Sequence, residues 1–108
     1  MAEYYQISRQ VGRRIAMTRQ AHGLSAAGLA ERLRWPRDTL VNYETGRRRL
    51  TVEHLIAIAT ALGVPPATLL LDDAKLAALI TELVHEPGAI EEVLFFLRAR
   101  EDESPPQN

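Results

Sequence analysis

The sequence of 108 residues predicts an all-α protein, and three observations carry that prediction. Alanine, leucine and arginine dominate and favour helices, while aromatic residues amount to only 6%. Apolar residues recur at helical spacing in successive stretches, and no run alternates convincingly over strand length. Gly23, Gly46 and Gly63 each follow such a stretch where the chain must reverse, as expected for short packed helices.

The elements follow in order. After a polar lead, Met1 to Gln6, a first helix is expected from about Ile7 to Ala21, with Ile7, Val11, Ile15 and Ala16 on its apolar side. Gly23 ends it in a left-handed cap. Ser25 caps a second helix reaching about Leu33, with Leu24, Leu29 and Leu33 inward. Pro36 stands where a third helix begins, and Leu40 and Tyr43 are its inward residues up to about Thr45. Arg47, Arg48 and Arg49 form a basic loop. Thr51 caps a fourth helix, Val52 to Leu62, with Leu55, Ile56, Ile58, Ala59 and Leu62 apolar. A short fifth helix is expected from Pro66 to Leu70.

Asp72 or Asp73 can cap the next helix, which reaches about His85 with the stripe Leu76, Leu79, Ile80, Leu83 and Val84. Pro87-Gly88 breaks the pattern. A last helix from about Ala89 to Arg100 carries Ile90, Val93, Leu94, Phe95, Phe96 and Leu97, apolar on more than one face. Such a surface marks association, and Ile90, Val93, Leu94, Phe96 and Leu97 are the candidate dimerisation residues. The organisation expected is a domain over 7–71, a helical dimerisation or partner-binding segment over 72–101, and a disordered acidic tail over 102–108.

Composition excludes several functions. The chain has no cysteine, which removes disulfides, thiolate zinc sites and cysteine nucleophiles together. His22, His54 and His85 fall in different elements, and no nucleophile motif or glycine-rich phosphate loop is present. Neither catalysis nor a metal or other cofactor is expected. No apolar run approaches the ~18 residues of a membrane span, and no signal-peptide pattern opens the chain. The expected location is the cytoplasm.

The net charge of −1 hides an asymmetry. Residues 1–49 carry ten arginines against four acids, and residues 50–108 carry ten acids against three basic residues. A basic half joined to an acidic half suits one surface that faces a polyanion. RNA is the weaker candidate, because the basic half lacks an aromatic stacking platform for single strands. Within that half, Leu24 to Gly46 reads as two short helices around a turn of about three residues, the plan of a helix-turn-helix.

The sequence here resembles the phage-repressor (Cro-like, or XRE) helix-turn-helix family. The resemblance rests on Gly12-Arg13-Arg14-Ile15, Arg19 to Gly23, Leu24-Ser25, Leu29-Ala30, Tyr43-Glu44-Thr45-Gly46, Thr51 to Leu55 and Ala61-Leu62-Gly63-Val64. It covers roughly Val11 to Leu71 and implies a five-helix helix-turn-helix bundle, here followed by two C-terminal helices. It also implies a transcriptional regulator that binds double-stranded DNA, usually as a homodimer on a two-fold operator. Antitoxin-like architectures within the family join such a head to a segment that binds a partner protein.

Carried over by position, Arg37, Asp38, Val41 and Asn42 face the major groove. Arg37 matches guanine O6 and N7, and Asn42 reads adenine or binds phosphate. Asp38 accepts from cytosine N4 or caps the helix. Thr39 contacts a phosphate or a thymine methyl, and Arg47, Arg48 and Arg49 reach phosphates from the loop. The resemblance also pairs Arg19 with Glu44 across the first and third helices, a structural role. Departures from the family pattern are Ala26 in place of a contacting Gln, Gly28 in mid-helix, Arg34 at the usual turn glycine, Trp35 for a smaller apolar residue, and Pro36 for a capping Ser or Thr. Trp35 reads as a core plug, or else as a DNA-backbone contact.

Overall fold

The computed structural model describes residues 2–103, with side chains from Gln6 to Asp102. Six α-helices run as α1 Ala2–Ala21, α2 Ala26–Leu33, α3 Arg37–Glu44, α4 Val52–Leu62, α5 Ala74–His85 and α6 Gly88–Glu103. Between α4 and α5 lies a 3-10 turn, Pro66–Leu69. No strand occurs among the described residues. Three expected boundaries are corrected. The first helix starts at Ala2 rather than Ile7, because no glycine or proline interrupts residues 2–6 and helix propensity carries it past its apolar stripe. The expected fifth helix is a single 3-10 turn of four residues. Pro65 and Pro66 supply no amide donors, and Thr68 Oγ1 bonds back to the Pro65 carbonyl at 2.7 Å. The last helix continues through Glu103, so the first residues of the expected tail are helical. Residues 104–108 lie outside the described residues.

Local chemistry sets the helix ends. The Gly28 amide donates to Ser25 Oγ at 2.9 Å and the His54 amide to Thr51 Oγ1 at 3.1 Å, so both hydroxyls cap their helices. Asp73 Oδ1 accepts from Lys75 and Leu76 and caps α5. Asp72 turns instead to Arg14, whose guanidinium also reaches the Leu69 carbonyl at 3.2 Å. This clamp ties α1 to the entry of α5. Pro36 is the N-cap of α3 and offers no side-chain bond. Asp38 therefore does not cap; it sits in the first turn of α3, where a carboxylate complements the helix dipole.

Arg34 alone among the described non-glycine residues has positive φ, at 59°, and it closes α2. The Trp35 amide then reaches back to the Ala30 carbonyl at 3.0 Å. A side chain in that conformation costs about 1–2 kcal/mol. Arg34→Gly is expected to raise stability by up to about 1 kcal/mol, after allowing for the extra chain entropy of glycine. A thermal melt checks this, and a lower melting temperature contradicts the strain.

The core belongs to residues from α1 to the 3-10 turn. Val11, Ile15, Leu29, Ala30, Leu40, Tyr43, Leu55, Ile58, Ala59, Leu62 and Leu69 are buried together, with Trp35 and Leu50 packed at the edge. Ile56, read above as part of the α4 stripe, faces solvent. Its neighbours Leu55 and Ile58 take the inward side.

The C-terminal pair is different. α5 buries no residue, it packs on the 3-10 turn, and α6 packs on α5 alone. Leu76, Leu79, Val84, Ile90, Leu94, Phe95, Phe96 and Leu97 are all exposed. The radius of gyration is 17.5 Å, against about 13 Å for a compact chain of this length. The two helices form an arm that leaves the bundle.

Candidate nucleic-acid interface

α2 and α3 are joined by Arg34, Trp35 and Pro36, so their relative angle depends on how α3 is held. Three contacts hold it. First, Arg19 on α1 meets the Glu44 carboxylate with two prongs, Nε to Oε2 at 2.7 Å and Nη2 to Oε1 at 3.0 Å. Its remaining nitrogen donates to the Leu24 carbonyl at 2.8 Å. The two side chains are only 11% and 9% exposed. Second, α1 approaches the end of α3 so closely at Gly12 that an added Cβ would lie 2.3 Å from the Tyr43 carbonyl oxygen. Third, the Tyr43 hydroxyl lies 2.6 Å from His54 Nδ1 on α4. Trp35 covers the other side of His54, with ring centroids 4.3 Å apart.

With Leu40 and Tyr43 pinned inward, the 100° step of the helix places Asp38, Val41, Asn42 and Thr45 on the opposite face, and Arg37, one turn before Leu40, flanks that face at the exposed start of α3. Arg37, Asp38 and Thr45 are exposed, and Val41 and Asn42 are half-buried. Thr39 lies at the margin between this face and the core, half-buried. Thr45 joins the face although the sequence reading passed over it; its hydroxyl donates back to the Val41 carbonyl at 2.9 Å.

The loop after α3 extends the same surface. Arg47, Arg48 and Arg49 are all exposed. The Arg48 amide donates to the Asn42 carbonyl at 3.1 Å, which folds the loop back onto the helix end. Among the described residues, Arg37, Arg47, Arg48 and Arg49 have no ion pair with an acid. Four unneutralised guanidinium groups around one helix form a surface suited to an anion of extended shape.

A helix-turn-helix domain family matches residues 10–71. The chain belongs to this family, a Cro-like helix-turn-helix group. In this helix-turn-helix protein α2 and α3 are the two helices of the motif, and α3 occupies the place of the recognition helix. The match spans the bundle and stops before α5, so it includes neither helix of the arm. No curated protein matches the chain in sequence.

Sequence reasoning passed over the partnership of His54. Its signal was present in the chain, since His54 lies two residues beyond the start of α4 and one helical turn before Ile58. What was missing is the third dimension, because Trp35, Tyr43 and His54 come from three separate elements. Among the described residues no cluster of acidic or histidine side chains has the makings of a metal site. Nor is any described helix long and apolar enough to cross a membrane.

Proposed function

We propose that this helix-turn-helix protein is a sequence-specific transcriptional regulator, a repressor that binds a palindromic operator as a homodimer. The observation that carries the reading is the recognition helix itself. It is pinned from behind by Arg19–Glu44 and presents Arg37 at its exposed N-terminal end, with three exposed arginines in the loop after its other end. Arg37 reads guanine, with Asp38, Val41 and Asn42 on the adjoining groove face. Thr39, Arg47, Arg48 and Arg49 contact the phosphates that fix the register. Two copies sit on half-sites about 34 Å apart.

The second copy is argued from area. A monomer of this mass exposes about 6,000 Å², and this chain exposes 8140 Å². The excess is more than the ~800 Å² per partner of a standard interface. Ile90, Leu94, Phe96 and Leu97 lie exposed along α6 with the half-buried Val93 among them, and Leu76 and Leu79 lie exposed on α5. Two such hairpins facing each other make a four-helix interface. Truncation after His85 is expected to leave a monomer in sedimentation and to weaken operator binding. A truncated chain that stays dimeric overturns this assignment.

The reading as a whole is tested by selecting bound fragments from a random duplex library and titrating the winner with salt. A two-fold motif is expected, with a loss of about a thousandfold between 50 and 200 mM salt for six or more phosphate contacts. Arg37→Ala is expected to relax one base position and cost about 1–3 kcal/mol there. Flat, weak binding without enrichment overturns the reading. A second reading rests on Phe95, which is 75% exposed on the side of α6 away from Ile90 and Leu97. It would serve a partner protein, as in antitoxin-like architectures.

A further inference from the structure

Tyr43 points into the core, yet its ring has one face turned toward the loop that follows α3. The Arg48 guanidinium carbon lies 5.3 Å from the Tyr43 ring centroid. The ring is 2% exposed, so it does not itself reach a ligand. It is held at the hydroxyl by His54 Nδ1 at 2.6 Å and at its edge by Trp35, with ring centroids 5.9 Å apart. The Arg48 backbone is fixed separately, through its amide on the Asn42 carbonyl. We infer that Tyr43 is a positioning residue for the DNA interface, a rigid aromatic platform that holds Arg48 ready for a phosphate, with His54 and Trp35 keeping the platform in place.

An exposed arginine samples many rotamers and loses that freedom when it grips a phosphate. A guanidinium resting on a fixed aromatic face keeps its charge and its outward N–H groups while losing rotamers in advance. Arg47 and Arg49 have no such ring contact among the described residues, so Arg48 is the ordered member of the three. The inference rests on the DNA-binding reading above and deepens it.

The test is a double-mutant cycle on the full chain, with a mixed-sequence 30-base-pair duplex as the probe, read as affinity against salt. Arg48→Ala is expected to reduce the salt slope by about 1 and to weaken binding several-fold. Tyr43→Leu, which removes the ring, is expected to weaken binding in the parent chain and to add nothing on the Arg48→Ala background. Tyr43→Phe, which restores the ring, is expected to recover most of the loss. Additive effects of Tyr43→Leu and Arg48→Ala overturn the inference. Should Tyr43→Leu fail to fold, proton chemical shifts of Arg48 in the parent chain decide it. Ring-shifted Arg48 side-chain signals are expected, and unshifted ones overturn it. Loss of binding on Arg47→Ala and Arg49→Ala, with an additive cycle, sinks this inference alone. No effect of any of these arginines on binding sinks the DNA reading itself.

Discussion

Arg19→Ala is expected to lower the unfolding free energy by about 3–5 kcal/mol, the range for removing one partner of a buried ion pair. The magnitude applies because both side chains are nearly enclosed, at 11% and 9% exposure. The variant leaves the Glu44 carboxylate without its two arginine donors and the Leu24 carbonyl without its one. Both groups then carry a desolvation cost that the arginine had offset. Arg19→Lys is expected to recover only part of the loss, since an ammonium cannot repeat the two-pronged contact. Replacing both partners together by apolar residues is expected to cost less than either single change, because no charge is then stranded. Denaturant melts of the four variants check this ordering. Arg19→Ala with an unchanged melting temperature and reduced DNA affinity would place Arg19 on phosphate instead.

Much of this architecture was legible in the sequence because helix ends obey local rules. Ser25 and Thr51 were readable as caps, and the structure shows each accepting an amide three residues on. Gly23, Gly46 and Gly63, expected as stops, all have positive φ. Asp72 and Asp73 could not be told apart, since both precede the same helix. The choice was made by Arg14, distant in sequence, which engages Asp72 and leaves Asp73 to cap. The start of α1 was missed for a related reason. An apolar stripe reports where a helix packs, and α1 extends beyond the stretch that packs.

The outward face of α3 was legible to the extent that one helical period defines it. Once Leu40 and Tyr43 point inward, Asp38, Val41 and Asn42 lie outward, whereas Arg37, three residues before Leu40, is exposed because it opens the helix. The supports behind that surface were less visible. Arg19 and Glu44 are 25 residues apart and came from family resemblance rather than from periodicity. The contact of Tyr43 with His54 bridges α3 and α4, and no spacing rule connects those positions. The last helix was read as apolar on more than one face. Its departure from the bundle follows from α6 meeting only α5.

Gly12→Ala is expected to cost about 3 kcal/mol, at the upper end for overpacking a filled interior. Helix propensity alone favours the change by about 1 kcal/mol, so the sign is a sharp test. The added Cβ would lie 2.3 Å from the Tyr43 carbonyl oxygen, 2.5 Å from the Glu44 carbonyl oxygen and 2.8 Å from the Glu44 carbonyl carbon. All three are backbone atoms at the end of the recognition helix, so no side chain can swing away to make room. α1 has to lift from α3, and the lift strains the Arg19–Glu44 contact, which crosses the same interface two turns further along α1. Stability and DNA affinity are therefore expected to fall together in Gly12→Ala. Gly88→Ala is the control, because nothing lies within 4 Å of the position its Cβ takes. It is expected to leave both quantities nearly unchanged. Denaturant unfolding with duplex-binding titrations on the two variants measures the difference. A Gly12→Ala protein as stable as the parent would mean that α1 does not press on the end of α3, and the account of how that helix is held would fail with it.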